Sequence, residues 1–216
     1  VAEMTLAVVL LTGAGLLIRS FVELTRVNPG FQPERAISFR LTFQGDEYAQ
    51  GQQIRDRAGA ILERLRVLPG VTTAARRSVL PLSGRGSLND FQVGNEPPPP
   101  NVNGEIGVAR VTPEYFQAIG APMVAGRTFT AQDAPESPRV AIINEAGAKF
   151  WFGGEDPVGR TVVSGVEREI IGVVSHILQR DPGQPAQPQL YLPWAQSTTR
   201  SLRFIVRSNG DPLALA

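Results

Sequence analysis

The stretch MTLAVVLLTGAGLLIRSF, Met4 to Phe21, decides how the rest of the chain is organised. No residue from Leu6 to Ile18 is charged, and only Thr12 and two glycines interrupt the aliphatic side chains. A helix that lacks a polar stripe is typical of a membrane span. As a helix, Met4 to Ile18 would rise roughly 22 Å, which is short of the ~30 Å hydrocarbon core of a bilayer. We therefore expect residues 1–27 to form a transmembrane helix and juxtamembrane turn, with a full span needing residues upstream of Val1.

Two other interpretations of this stretch fit its residues less well. A secretory signal peptide has a basic start and an A-x-A-like cleavage site, whereas Glu3 precedes this apolar run and Arg19 follows it. A core helix of a soluble protein would keep the polar stripe that positions 6–18 lack. The chain also begins without Met and stops at DPLALA, so we expect a fragment of a longer protein.

The residue counts exclude several kinds of chemistry. The 216 residues carry a formal net charge of only +1, which gives no general attraction to nucleic acid. The absence of Cys removes thiol nucleophiles, disulfides and Cys-ligated metal centres. The single Lys, Lys149, follows Ala148 rather than Gly, so there is no phosphate-binding loop and any ATP-driven role needs another chain. His176 is the single His, which excludes His-cluster zinc sites.

The segments after the apolar run predict a β-α-β unit. A turn at Pro29-Gly30 precedes AISFRLTF, residues 36–43, whose alternation is typical of a half-buried strand. Residues 51–70 predict an amphipathic helix ended by Pro69-Gly70, with one apolar face made of Ile54, Ala58, Ile61, Leu62, Leu65 and Leu68. VTTAARRSVL, residues 71–80, predicts the second strand, for which a right-handed connection is expected.

The composition changes near Pro81, and shorter elements follow. Residues 105–111 predict a strand, after which Thr112 is expected to cap a short helix that Gly120 stops. RVAIINE, residues 139–145, predicts a strand whose Asn144 caps the next helix.

The last third of the chain predicts three more strand segments. Residues 161–177 indicate a hairpin around Ser164-Gly165, PQLYLPW indicates an edge strand broken by Pro193, and SLRFIVRS indicates a last strand. The predicted class is α+β, with a mixed α+β insertion between parts of the first β-α-β unit.

Few residues in the sequence suggest catalysis. Ser175 and His176 are adjacent, so on a strand they would point to opposite faces and could not act as a local nucleophile and base. Glu167 and Glu169 would share a strand face beside a turn, which is more typical of a solvated surface than of a carboxylate pair across a cleft.

Two further patterns also fail to make a site. Gly13-Ala14-Gly15 follows no strand, so it is not a dinucleotide fingerprint, and small residues there favour close helix packing in a membrane. RTFTAQDAPE lacks the spacing of a calcium loop. We therefore predict no catalytic, cofactor-binding or metal-binding residue, and no cofactor.

Taken in order, the segments resemble a known family. They include VNPGFQPERAISFRLTF, LPGVTTAARRSVLPLSG, ARVTPEYFQAIGAPMVAGRTFT, NEAGAKFWFGGEDPVGR, IIGVVSHI, PQLYLPW and FIVRSNGDPLALA. This set is similar to the MacB-like periplasmic core domain of FtsX-type ABC transporter permeases, particularly the large bacterial permeases with two such halves. The chain departs from the pattern at Gly147 and Gly153, which are expected to weaken the helix after Asn144.

The resemblance implies a domain plan. Residues 1–27 would be the transmembrane helix, residues 28–82 and 196–216 a porter-like subdomain, and residues 83–195 an inserted mixed α+β subdomain. The folded part would lie in the periplasm, attached to the bacterial inner membrane.

The resemblance also implies a non-catalytic role in export or mechanical signalling, driven by a separate cytoplasmic ABC ATPase. The implied partners are that ATPase, a periplasmic adaptor, membrane lipid and a second permease half in a dimer or pseudo-dimer, with no nucleic acid.

Structural positions and surface loops are the residues expected to matter. Pro29-Gly30, Pro69-Gly70, Asn144 and the Asp156-Pro157 turn would position the elements, while residues 84–89 and 97–103 are candidate partner loops. Two alternatives stay open: a membrane-anchored hydrolase that uses His176 with a remote Ser and Asp, and a tethered binding module for a lipid or peptide.

Overall fold

The computed structural model describes residues 2–26, 29–48, 51–81, 87–94, 105–179 and 186–212. These ranges contain both helices and strands, which confirms the α+β class. The helices are α1 (Ala2–Arg26), α2 (Gly51–Arg66), α3 (Tyr115–Ile119) and α4 (Glu145–Phe152), with 3₁₀ turns at Asp46–Tyr48 and Trp194–Gln196. The strands are β1 (Ala36–Thr42), β2 (Val71–Arg77), β3 (Ser87–Asp90), β4 (Gln92–Val93), β5 (Glu105–Val111), β6 (Met123–Gly126), β7 (Val140–Asn144), β8 (Thr161–Ser164), β9 (Val166–Val174), β10 (Gln189–Pro193) and β11 (Ser201–Ser208).

Helix α1 is longer than the apolar run that predicts it. Its apolar part, Ala2–Val22, is 21 residues long and none of it is buried in the structure. At 1.5 Å per residue this length reaches about 31 Å, which matches the hydrocarbon core. This part of the helix also contains the charged residues Glu3 and Arg19, so the expectation that a full span needs residues before Val1 stays a prediction. The helix continues past Arg19, whose long side chain can extend toward a polar interface.

The predicted β-α-β unit is present, with a third strand inside it. Strands β1 and β2 both pair antiparallel with β11, so they run parallel to each other on either side of it. Helix α2 covers this part of the sheet with a face that includes the buried Ile54, Ala58 and Leu62, as the periodicity predicts. Leu68, predicted on the same face, lies beyond the end of α2 and is exposed.

The sheet continues from this unit into the rest of the domain through β2 and β5. Their ladder has the single pair Arg77 and Val111. Around it, the backbone N–H of Ser78 donates to the carbonyl oxygen of Arg110, and that of Thr112 donates to the carbonyl oxygen of Arg76. The order across the sheet is β1-β11-β2-β5-β10-β7-β9-β8-β4, with β3 beside β5 and β6 beside β9.

Strand β10 is interior, so the expectation of an edge strand was wrong. It pairs parallel with β5 and antiparallel with β7, and all five of its residues are buried. Pro193 is tolerated because it is the last residue of the strand, where a missing N–H interrupts little of the ladder. The hairpin of β8 and β9 around Ser164-Gly165 is as predicted.

Helix boundaries show what the local sequence can and cannot specify. Asn144 caps α4, because its Oδ1 accepts a hydrogen bond from the backbone N–H of Gly147 at 2.9 Å. Gly153 ends that helix in a left-handed conformation, φ 63°, instead of weakening its interior. Gly120 stops α3 as predicted, but Thr112 does not cap it. The Thr112 hydroxyl accepts instead from the backbone N–H of Arg76, at 3.1 Å, across the strand junction.

Part of the first predicted partner loop, residues 84–89, is a strand. Residues 87–89 are not a loop, because they belong to β3 and pair with β5. Residues 84–86 and 97–103 lie outside the described residues.

Candidate functional site

The segment that follows α1 is fastened to the domain at several points. We call residues 29–35 the junction segment. The carbonyl oxygen of Pro29 accepts a hydrogen bond from the backbone N–H of Leu178 at 2.8 Å, just after β9. The backbone N–H of Gln32 donates to the carbonyl oxygen of Ile119 at 2.7 Å, at the end of α3. Any displacement of the junction segment therefore strains both of these elements.

Gly30 makes the closest approach in this segment. Its φ is 73°, in the left-handed region, and a Cβ placed there would lie 1.8 Å from the carbonyl oxygen of His176. Only glycine satisfies both the conformation and the distance. The Pro29-Gly30 turn predicted from sequence is thus a docking point as well as the end of the helical region.

Arg207 is the side chain that binds the junction segment most extensively. Its Nε–H donates to the carbonyl oxygen of Ala118 at 2.7 Å, and its Nη1–H to that of Glu34 at 3.1 Å. A further bond goes to the carbonyl oxygen of Gln32. One guanidinium on β11 therefore joins the junction segment to α3 through charge-assisted hydrogen bonds.

A cavity of about 500 Å³ lies beside the junction segment. It lies between the junction segment and the ends of α3, α4 and β9. The lining residues are Gly30, Phe31, Gln32, Gly120, Pro122, Glu145, Ser175 and His176. Strand β9 ends at Val174, so the alternation expected for Ser175 and His176 does not apply, and both residues line the same cavity.

The contacts of Asn144 fix the state of the His176 ring. Asn144 Oδ1 accepts from the backbone N–H groups of Gly147 and Gln189, both at 2.9 Å, and its Nδ2 donates to the carbonyl oxygen of Gln187 at 2.8 Å. These bonds orient the amide with Nδ2 toward His176 Nδ1, at 3.4 Å. In neutral His176, Nδ1 then accepts and the proton resides on Nε2.

This ring state does not suit a serine hydrolase. A catalytic His needs an unprotonated Nε2 to take the serine proton. A carboxylate that accepts a hydrogen bond from Nδ1–H keeps the ring in that tautomer. Here an amide donor occupies the carboxylate's place. Glu145 Oε2 instead accepts from the backbone N–H of His176 at 3.1 Å. Burial lowers the pKa of His176, and the nearby Glu145 partly opposes that effect.

The other sequence candidates are not brought together. Glu167 and Glu169 are both exposed on β9, as expected of a solvated surface. Among the described residues, no group of three or more His, Asp and Glu side chains could hold a metal ion. A Cβ added at Gly13 or Gly15 would meet no described atom within 4 Å, so the expected packing of these glycines against another helix stays a prediction.

Sequence reasoning missed the buried arginines. Arg76 and Arg77 are 7% and 1% exposed, respectively. Two consecutive arginines in a predicted strand must face opposite sides, so at least one faces the interior of any sheet that is covered on one face. That signal was present in AARRS. The role of Arg207 had no such signal, because its acceptors are carbonyl groups distant in sequence.

Comparison with known proteins assigns the fold. The profile of the MacB-like periplasmic core domain matches residues 2–214. The solved periplasmic region of MacB from Actinobacillus actinomycetemcomitans superposes with a TM-score of 0.56 at 18% identity, covering 88% of this chain and 81% of that one. The extracellular domain of the noncanonic ABC-type transporter YknZ from Gram-positive bacteria gives 0.53 at 19% identity, covering 81% and 84%.

Curated relatives are longer proteins. The macrolide export ATP-binding/permease protein MacB of Chromobacterium violaceum is 28% identical over 125 residues, which are 54% of this chain and 19% of the relative. The probable syringafactin export ATP-binding/permease protein SyfD of Pseudomonas syringae is 30% identical over 100 residues, 45% of this chain and 14% of the relative. The chain thus spans less than a fifth of either relative's length. On the profile match over nearly its whole length, the chain belongs to the MacB-like periplasmic core domain family.

Proposed function

We propose that this chain is the non-catalytic, extracytoplasmic part of an ABC transporter permease subunit. Helix α1 anchors it in the bacterial inner membrane and the folded domain lies in the periplasm. ATP hydrolysis by a separate cytoplasmic ATPase moves the membrane part, and the domain converts that movement into export or mechanical signalling across the envelope.

The fastened junction segment carries this proposal. Only two residues of sequence separate Arg26, the end of α1, from Pro29, which is already bonded to Leu178. Coupling between distant sites needs a physical path that links them. The bonds of Pro29, Gln32 and Arg207 supply that path from the junction segment to Leu178 beyond β9, to α3 and to β11.

The domain plan is part of the same proposal. Residues 28–82 and 196–216 form the porter-like subdomain, and residues 83–195 form the inserted one. A boundary between these two subdomains is supported by the short ladder between β2 and β5, which has the single pair Arg77 and Val111. The proposed partners are the ATPase acting through the permease's membrane part, a periplasmic adaptor, membrane lipid and a second permease half.

Topology is the first test. Glu155 has a side chain 74% exposed and lies beyond α4, so a cysteine there should react freely. In the full-length parent protein, freed of any other cysteines, Glu155→Cys should react in intact cells with a maleimide that cannot cross the inner membrane. Gln132→Cys, at a second exposed position, controls for local shielding. Labelling of both sites only after lysis would place the domain in the cytoplasm and end the proposal.

Coupling is the second test. In the full-length protein with its ATPase in nanodiscs, we expect trapping with ATP and vanadate to change hydrogen exchange of the amides of Gln32 and Leu178. Gly30→Ala forces a Cβ onto the His176 carbonyl and should abolish that change while ATP turnover continues.

The matched control for this variant is Gly165→Ala. Gly165 also has a positive φ, 74°, but none of the described atoms lies within 4 Å of its Cβ position. It should keep the ATP-dependent change in exchange. Identical exchange in the unmodified protein with and without trapped nucleotide would contradict the coupling mechanism.

A further inference from the structure

A second cavity, of about 280 Å³, lies where the two parts of the sheet meet. On one side it is lined by Leu62 of α2 and Arg76 of β2. The opposite side is lined by Pro113 and Glu114, before α3, and by Trp194, after β10. It is separate from the junction cavity and has no role in the coupling mechanism proposed above.

Arg76 is the unusual residue of this cavity. It is only 7% exposed, and its Nε and Nη1 atoms are buried without a hydrogen-bond partner in the described part of the chain. Burial lowers the pKa of Arg76 to about 10; the charge of Glu114 opposes this shift and that of Arg66 adds to it. At neutral pH the residue is therefore a buried cation with unused donors, an arrangement that is destabilising unless an anion or another acceptor binds it.

Each described carboxylate around the cavity has an oxygen paired with another arginine, and none of them is hydrogen-bonded to Arg76. Glu114 Oε1 lies 2.5 Å from Arg66 Nη2, and Glu63 lies 2.6 Å from Nη1 of the same residue. Asp133 lies 3.0 Å from Arg127. Arg76 is left with a cation–π contact, its Cζ 4.7 Å from the centre of the Trp194 ring. That contact leaves Nε–H and Nη1–H without an acceptor among the described residues.

Other lining residues define what could bind beside Arg76. Trp194 is 2% exposed, and its Nε1–H is a second buried donor that no described residue accepts from. Leu62, Pro113, Pro193 and Ala195 add apolar surface. Glu114 Oε2 is buried and has no hydrogen-bond donor among the described residues, so each negative charge on a ligand adds repulsion, and a monoanion is favoured over a dianion.

We propose that this cavity binds a small monocarboxylic acid with an apolar tail. The carboxylate would accept hydrogen bonds from Arg76 Nε and Nη1, for which the planar guanidinium is well suited. The tail would lie against Trp194 and Leu62. Because its lining comes from both sides of the β2–β5 connection, a bound ligand would hold those two parts of the sheet together.

Phenylacetate is a suitable probe, and melting of the full chain in a nonionic detergent is the measurement. A ligand that binds only the folded state raises the melting temperature according to its concentration and Kd. We expect a Kd on the order of 1 mM or below for a ligand of this size. Phenylacetamide, which is neutral, and inorganic sulfate, which is dianionic, should each give no shift at the same concentration.

Variants separate specific binding from general stabilisation. Arg76→Met should weaken phenylacetate binding by about tenfold or more, and Trp194→Phe, which keeps a ring but removes the N–H, by about two- to fivefold. Arg168→Met is the matched control. Arg168 is also 7% exposed, and its Nε and Nη1 atoms are likewise buried and unpaired within the described ranges, but it does not line this cavity.

Each result bears directly on the proposal. Binding that is lost in Arg76→Met and retained in Arg168→Met supports it. If Arg76→Met does not fold, Trp194→Phe and the phenylacetamide comparison decide the question. No shift with phenylacetate up to tens of millimolar in the unmodified chain would overturn the proposal, as would equal shifts with phenylacetamide.

Discussion

The Nε–H of Arg207 donates a hydrogen bond to the carbonyl oxygen of Ala118 at 2.7 Å. This contact joins β11 to α3, while the same side chain also binds carbonyl groups of the junction segment. One arginine thus fastens three segments that are distant in sequence.

Replacing Arg207 with Met should lower the free energy of unfolding by about 2–3 kcal/mol, since hydrogen bonds from a charged donor are lost. Urea unfolding of the full chain in detergent micelles measures this. Arg203→Met is the control, because Arg203 lies on the same strand, is also partly exposed and makes no side-chain hydrogen bond to any described residue. Its effect should stay within about 0.5 kcal/mol. Equal losses in both variants would show that the carbonyl contacts contribute little.

Asn144→Ala should be more harmful than an ordinary lost cap. Its side chain accepts from the backbone N–H groups of Gly147 and Gln189 and donates to the carbonyl oxygen of Gln187. Asn144 is 0% exposed, so water cannot replace these bonds easily. We expect a loss of about 2–4 kcal/mol, because several buried backbone groups are left unpaired. Asp156→Ala removes one exposed turn bond, to the backbone N–H of Val158 at 3.0 Å, and should cost about 1 kcal/mol or less. Urea unfolding compares the two variants. Similar losses in the free energy of unfolding would contradict a large contribution from the buried hydrogen bonds of Asn144.

Stability should fall as the pH is lowered from about 7 to 5. Burial lowers the pKa of His176 in the folded state, so below its unfolded value of about 6.5 the unfolded chain binds the proton more readily. The neutral ring's contribution is complete above that value and is lost as the pH falls toward the folded-state pKa. Melting temperatures across this range measure the effect.

His176→Gln should flatten that dependence, because the chain has a single His. Asp133 does not interfere. Burial opposes its ionisation, but bonds from Arg127 and Thr130 outweigh burial and lower its pKa below 3.8, outside this range. An unchanged slope in the variant would assign the pH dependence to another group.

Arg77 and Tyr115 should be coupled energetically. Arg77 is 1% exposed and donates to the Tyr115 hydroxyl and, at 2.6 Å, to Gln179 Oε1. Arg77→Met and Tyr115→Phe each leave a buried partner unpaired, so each should cost about 1–3 kcal/mol. In the double variant, unfolding measurements should give a cost smaller than the sum by about 1 kcal/mol or more. If the costs of the two single variants add up to that of the double variant, the contact between Arg77 and Tyr115 makes no net contribution to stability.

Periodicity along the sequence was enough to predict most elements. The apolar face of α2, the hairpin at Ser164-Gly165 and the Asn144 cap depend on residues close in sequence, and all three are confirmed. The end of β9 at Val174 was not predicted, because Ser175 and His176 continue an apparently regular pattern. The cavity that Ser175 and His176 share could therefore be identified only from the structure.

The failures concern partners that are distant in sequence. PQLYLPW has the Pro of an edge strand, yet β5 and β7 lie on both sides of it. Thr112 has the residue type of a helix cap, but its hydroxyl accepts from the backbone N–H of Arg76, which is 36 residues away in sequence. The cavity at Arg76 likewise depends on Glu114 and Trp194, which tertiary folding alone brings together.

The position of β11 also sets the order in which the domain can fold. Strands β1 and β2 do not touch as neighbours, because β11 lies between them and pairs Thr42 with Ser201 and Arg77 with Arg203. Such contacts between distant residues make folding slow, since long loops must close first. During synthesis or translocation, β1 and β2 would present unpaired edges until residue 208 emerges. Unpaired strand edges of this kind favour association with other chains, so the exposed period ends only when β11 pairs with both strands.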